Sequence, residues 1–358
     1  VSLPPRHRSH AARRGSGAAA GRSRIGPLTA LLLAACLAGH SACGLVRRSN
    51  LPAQLTDEQF WKLLSDLSEP PGTFSHSDNV VSNEIQYADV MRTLRPRGGV
   101  YVGVGPEQNL SYIAEVRPAM AFIVDVRQEN RSLHLLYKAL FEISGDRADF
   151  VSRLFSRQRP AGVDSRTSVE DLFARYAAIQ PERRLREENG RLVRERLIAT
   201  HRFPLSPREL AWIDYVLDAF YSDGPDIHYA RLLPNDPRGP SYHALMTARD
   251  VSGQHRSYLS SDASFSFLKT LHAANLIVPI VGDFGGSSAL KATGEYVRQH
   301  RQIITTFYAS NVEVYLNREK TVAFCRNLIG LPHDWNTYFV WSKGKQPLRL
   351  KLAACAGR

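Results

Sequence analysis

Two glycines and an acid raise the first chemical question. Gly103 and Gly105 close a short apolar run, "GGVYVGVG", and Asp125 closes the next one, 22 positions after Gly103. Glycine at such a place lets the backbone turn sharply and a ligand approach closely, and the helix start just beyond it favours negative charge. A carboxylate ending the second strand can accept hydrogen bonds from the two hydroxyls of a ribose. The loop then leaves the dinucleotide pattern. Gln108 stands in place of the third glycine, and Glu107 brings negative charge to where a pyrophosphate would lie. S-adenosylmethionine has no phosphate and carries an amino group that Glu107 could pair with. Gly103, Gly105, Glu107, Asn109 and Asp125 are therefore assigned to that cofactor. Tyr101 occupies the position, two before the first glycine, where methyltransferases usually carry an acid.

Three further stretches hold candidate groups. In "SDNVVSNE" the polar residues Asp78, Asn79, Asn83 and Glu84 either cap the following helix or line a ligand crevice over the strand ends. In "VGDFGG", Asp283 ends a buried strand ahead of two glycines, as a turn residue or as a base. In "YASNVE", Ser310 and Asn311 end another strand, to cap a short helix or to line the same crevice. Asp283 and Asn311 are the candidates for catalysis. The histidines show no ligand spacing, only His76 lies near one of these stretches, and no metal is expected. A Gly-x-Ser-x-Gly elbow is absent from the sequence.

The elements that must position these groups alternate. Apolar runs at 99–104 and 119–126 flank a helix starting near Glu107, and an amphipathic helix carries Leu133, Leu136, Tyr137, Leu140 and Phe141. Residues 145–261 are helical and then loop-rich, an insertion. The alternation resumes over 262–358: a helix, the strand "NLIVPIVGDF", a helix, the strand "QIITTFYAS", a short helix from Val312 to Leu316, and a further helix around "VAFCRNLIGLP". "TYFVWS" and "PLRLKL" are expected to pair as an antiparallel edge hairpin. The expected fold is α/β, a mostly parallel Rossmann-like sheet with flanking helices. Its first half lies in 51–144, after N-terminal helices, and its second half in 262–358.

Composition adds bounds. The net charge of +12 is concentrated: residues 1–50 carry eight arginines and no acid, leaving 38 basic against 34 acidic residues and a net of +4. No stripe of basic and aromatic residues accompanies it, so no nucleic-acid partner is expected. The stretch "LTALLLAACLAGHSACG" is too short to span a bilayer but fits an export signal. "LLAAC" resembles a bacterial lipobox with Cys36 as the lipidated residue, giving an envelope lipoprotein held only by its lipid anchor. A cytoplasmic protein with a start further on is the alternative. Cys325 and Cys355 read as buried or incidental thiols rather than as a disulfide framework.

Taken together, "SDNVVSNE", "GVGPEQNLSYI", "IVDVRQENRSLHLLYKALFE", "NLIVPIVGDFGGSSALKA" and "FYASNVEVYL" resemble a bacterial family with a class I methyltransferase-like core, over roughly residues 70–345. The resemblance implies the fold and a ligand crevice. It implies no reaction, and the N-terminal segment lies outside it.

Overall fold

The structure, a computed structural model, describes residues 50–74, 77–232 and 239–356. The expected signal segment, Cys36 and His76 lie outside the described residues. The described residues form one compact unit. Its centre is a six-stranded sheet: β1 (Val100–Gly103), β2 (Met120–Asp125), β3 (Ile277–Val281), β4 (Ile304–Ser310), β5 (Tyr338–Trp341) and β6 (Gly344–Pro347). The spatial order is β3-β2-β1-β4-β5-β6. All neighbours are parallel except β5 and β6. This is the doubly wound α/β order, and its turning point lies between β1 and β4. Strands β1, β2 and β3 are buried along their whole length, as a parallel sheet covered on both faces requires. Pro279 gives up one amide donor and falls on β3, an edge strand, where the sheet loses least by it.

Thirteen α-helices are present among the described residues. α1 (Asp57–Asp66) precedes the sheet, with Thr56 and Gln59 closing a capping box at its start. α2 (Tyr87–Arg92) is short, and its N-cap, Gln86, makes no side-chain cap bond. The polar stretch before it therefore does not serve as its cap. α3 (Gln108–Val116) links β1 to β2, and α4 (Gln128–Ile143) comes after β2.

The insertion forms most of the long crossover from β2 to β3, with α5 (Arg147–Phe155), α6 (Val169–Ala177), α7 (Arg183–Arg194), α8 (Pro207–Asp223) and α9 (Tyr242–Met246); α10 (Asp262–Ala273), beyond the insertion, completes it. It packs as part of the same core. Arg131 of α4, half-buried, meets the buried Glu209 of α8 at 2.5 Å. Glu209 also closes the capping box that starts α8 with Ser206.

α11 (Ala289–Gln299) crosses from β3 to β4, and α12 (Arg318–Ile329) and α13 (Leu348–Ala356) are the last two helices. Two expectations about the C-terminal part are corrected. β5 pairs antiparallel with "GKQP", whereas "LRLKL" is helical. Leu348, Lys351 and Cys355 recur at helical spacing and are buried together, which a strand could not achieve. Cys325 of α12 and Cys355 of α13 are joined by a disulfide, Cα to Cα 5.3 Å, and are not free thiols. Nothing in two cysteines thirty positions apart announces such a bond. No helix among the described residues is long and apolar enough to cross a membrane.

Candidate functional site

The carboxyl ends of β1 to β4 converge on a cavity of about 180 Å³. Every one of these strands supplies wall residues from its end: Gly105 and Pro106 after β1, Asp125 and Arg127 around the end of β2, Asp283 after β3, Ser310 and Asn311 around the end of β4. Asn79, Asn83 and Glu84 line the cavity from the polar loop, and Phe74, Tyr229 and Tyr315 add aromatic walls. Open parallel sheets bind ligands at this edge because the chain crosses away in opposite directions on either side of the turning point.

The glycine loop is built differently from its sequence reading. Asn109 is fully buried, and its Nδ2 donates to the carbonyls of Val104, Gly105 and Pro106 at 2.8–3.0 Å. Its Oδ1 accepts from the Tyr101 hydroxyl at 2.9 Å. A Cβ at Gly103 would collide with Asn109 Oδ1 and the Tyr101 ring, so this glycine makes room for an internal clamp and not for a ligand. Gly105 differs: its φ is +83° and the space beside it is open. His134 of α4 sits beneath, with Nε2 2.9 Å from the Gly105 carbonyl. Burial pushes its pKa down to about 4, so the neutral ring donates to that carbonyl.

Glu107 does not reach the cavity. Its carboxyl is wholly buried, accepts the Ser82 N–H on both oxygens at 3.1 Å, and is pushed up by burial to about 8. The residue expected to meet an amino group instead ties the glycine loop to the polar loop.

Asp125 keeps half of its expected capacity. Oδ1 accepts from the Arg127 backbone N–H at 2.9 Å and from its Nε at 3.2 Å. Oδ2 makes no hydrogen bond among the described residues, so it is left to accept from a ribose hydroxyl. Arg127 is 6 % exposed; its Nη1 donates to the Asp78 carbonyl at 3.0 Å, and its Nη2 is buried with no partner among the described residues. An unpaired charged donor of this kind costs roughly 1–3 kcal/mol or more. The signal for Arg127 was its place two residues after Asp125.

Asp78 lies behind the cavity wall. Its Oδ2 accepts from the Tyr215 hydroxyl at 2.7 Å and from Arg231 at 3.2 Å, fastening the insertion to the polar loop. Asn79 adopts a left-handed backbone, φ +52°, with its N–H on the Ser77 hydroxyl. Asp283 is held on both oxygens, by the Gly285 N–H at 2.8 Å and Lys320 at 2.7 Å. Its strand, β3, is on the far side of β2 from the turning point, so β4 and not β3 faces whatever lies beside the β1 ligand. Glu69 holds the loop after Asp283. Burial pushes its carboxyl up, but the N–H groups of Ala289, Ser288 and Asp283 outweigh that and keep it below the usual range.

The end of β4 carries the most unusual local structure. Ser310 is left-handed at φ +49°, and the pairing of β4 with β5 shifts register between Tyr308 and Ser310. A non-glycine residue there costs roughly 1–2 kcal/mol. The shift turns the Ser310 hydroxyl onto Glu84 Oε1, while the Tyr308 hydroxyl donates to Oε2 at 2.7 Å. Glu84 is 6 % exposed, and burial raises its pKa against the pull of these two hydroxyls. Asn311 Oδ1 lies 3.3 Å from the Ser310 hydroxyl. A cavity-lining carboxyl with a raised pKa, touching a serine in strained backbone, has the means to accept a proton.

No curated protein matches the chain. The segments 79–186 and 236–353, which contain Glu84, Gly105, Asp125, Arg127, Asp283 and Ser310, match the domain of unknown function DUF7790, and the chain belongs to that family.

Proposed function

We propose that the cavity binds an adenosyl ligand and that, with S-adenosylmethionine as that ligand, the chain acts as a class I methyltransferase-like enzyme. The observation that supports this most is Asp125 Oδ2 at the end of β2, which has no hydrogen bond among the described residues and lies on the same cavity as the left-handed Gly105. In this reading the nucleoside lies over β1 and β2, and Ser310 and Asn311 at the end of β4 face the methyl acceptor. Methyl transfer relies mainly on alignment, which a site drawn from four strand ends can supply. Calorimetric titration with S-adenosylhomocysteine, NAD and adenosine tests it: saturable binding of the first, stronger than that of NAD, is expected. Asp125→Asn keeps an acceptor for Arg127 and should weaken that binding roughly 10- to 100-fold, the worth of one hydrogen bond to a charged group. No binding by any of the three ligands ends this reading.

A second reading has its own observation. The Cys325–Cys355 disulfide belongs with an oxidising compartment, and with the lipobox-like "LLAAC" it favours an envelope-anchored, ligand-binding lipoprotein on the same scaffold. S-adenosylmethionine is a cytoplasmic metabolite, so the two readings compete. Globomycin, which blocks lipoprotein signal cleavage, should shift the mobility of the protein in cells if the second holds; unchanged mobility removes it.

A further inference from the structure

The geometry points to a second chemistry in this cavity: Ser310 is a covalent nucleophile with Glu84 as its general base, acting on small carboxylic esters. It stands apart from the adenosyl reading, because it needs no cofactor and uses the β4 end of the cavity.

Five observations converge. Ser310 ends a parallel strand and is succeeded within two residues by the short 3₁₀ turn Val312–Tyr315. Its backbone is left-handed, as at the strained strand-to-helix bends that lift a nucleophile clear of a sheet. The register shift beside it is the kind of irregularity that re-aims a side chain. The hydroxyl so presented donates to Glu84, a carboxyl held on its other oxygen by Tyr308, and both Ser310 and Glu84 line the cavity. Asn311 is adjacent and also lines the cavity, and its side-chain amide can donate to an oxyanion. The sequence lacks the glycines that usually flank such a serine, so the bend is visible only in the backbone.

The step balances within the site. Ser310 Oγ bonds to the ester carbonyl carbon as its proton passes to Glu84; the carbon–oxygen bond to the alcohol then breaks, and Glu84 returns the proton to the departing alkoxide. Water attacks the acyl-serine, giving one proton to Glu84, which restores the Ser310 hydroxyl and frees the acid. The small cavity limits the acyl group to a short one.

Diisopropyl fluorophosphate tests the nucleophile without knowledge of the substrate. Ser310 Oγ would form the bond to phosphorus, fluoride would leave, and the serine proton would depart through Glu84 as hydrogen fluoride. Incubating the full chain and mapping the adduct by mass spectrometry should show one modified serine, Ser310. Glu84→Gln should slow labelling at least 100-fold, as loss of a general base does. Absence of label from Ser310, or equal rates in a folded Glu84→Gln variant, overturns the proposal. If that variant does not fold, the pH profile of the unaltered chain decides. Labelling should fall tenfold per pH unit below the ionisation of Glu84, and a flat profile overturns the proposal. The titratable groups acting on Glu84 are Tyr308 from β4, Tyr101 from β1, Tyr112 from α3 and Glu107 from the glycine loop. Of these only Glu107 titrates near neutrality, and repeating the profile in Glu107→Gln assigns the step.

Discussion

The two ends of the cavity are built on opposite principles. On the β1 side, the glycine loop is saturated from within: Asn109 occupies three of its carbonyls, His134 meets one of them again from below, and Glu107 turns inward to hold Ser82. On the β4 side, Ser310 sits in costly backbone and spends its hydroxyl on a carboxyl that burial has already made reluctant to ionise. The first is an arrangement for stability. The second keeps strain at a place that lines the cavity, which is where proteins hold strain that function requires. A familiar motif in the sequence can therefore mark the scaffold of a site more than its chemistry.

The largest effect that would test this contrast is on pH. Glu107 has a folded pKa of about 8 against 4.5 unfolded, so the folded state binds the extra proton between those values. The contribution of Glu107 to stability is then full below pH 4.5 and is lost as pH rises to 8, at about 1.4 kcal/mol per unit, on the order of 5 kcal/mol in all. Glu107→Gln should abolish most of that slope in urea unfolding followed across pH 5–8. An unchanged slope would mean that the carboxyl is solvated and that the loop is not closed around it.

Next in size, Asn109→Ala should cost about 2–4 kcal/mol, because the Val104 carbonyl and the buried Tyr101 hydroxyl lose their partner while the Gly105 and Pro106 carbonyls each lose one of two. Thermal unfolding of the variant measures it; a loss under about 1 kcal/mol would dissolve the clamp. The smallest effect belongs to the other end. Ser310→Ala should change stability by less than about 1 kcal/mol, since Glu84 keeps Tyr308 and the site is only half-buried. A loss as large as that of Asn109→Ala would make Ser310 structural and erase the contrast.

Much of the scaffold was legible in the sequence, because buried parallel strands read as continuous apolar runs: "VYVG", "MAFIVD", "IVPIV" and "ITTFYAS" all became strands. Gly105, Asp125, Asp283 and Asn311, with Asn79, Asn83 and Glu84, do meet in one cavity, since each stands at or near a strand end or in the loop above it. Less visible were the partners brought by tertiary packing. Arg127 stands two residues from the acid it binds, but His134 and Lys320 act through contacts made across elements, and no local pattern encodes those. "PLRLKL" misled because alternation over six residues cannot outvote a helix whose buried face is fixed by Cys355 and Lys351. Glu107 and Asp78 were placed on the right loops and Asn109 at the right helix start, but a sequence does not say which way a polar side chain turns.

The Asn109 clamp has a consequence for time as well as for energy. A loop fastened by its own side chain has little conformational freedom left to surrender when a guest arrives, so association there should be a single, fast step without a slow rearrangement phase. Whatever enters this cavity would find the β1 wall already standing, and any slow stage in its capture would belong to the loops that face it.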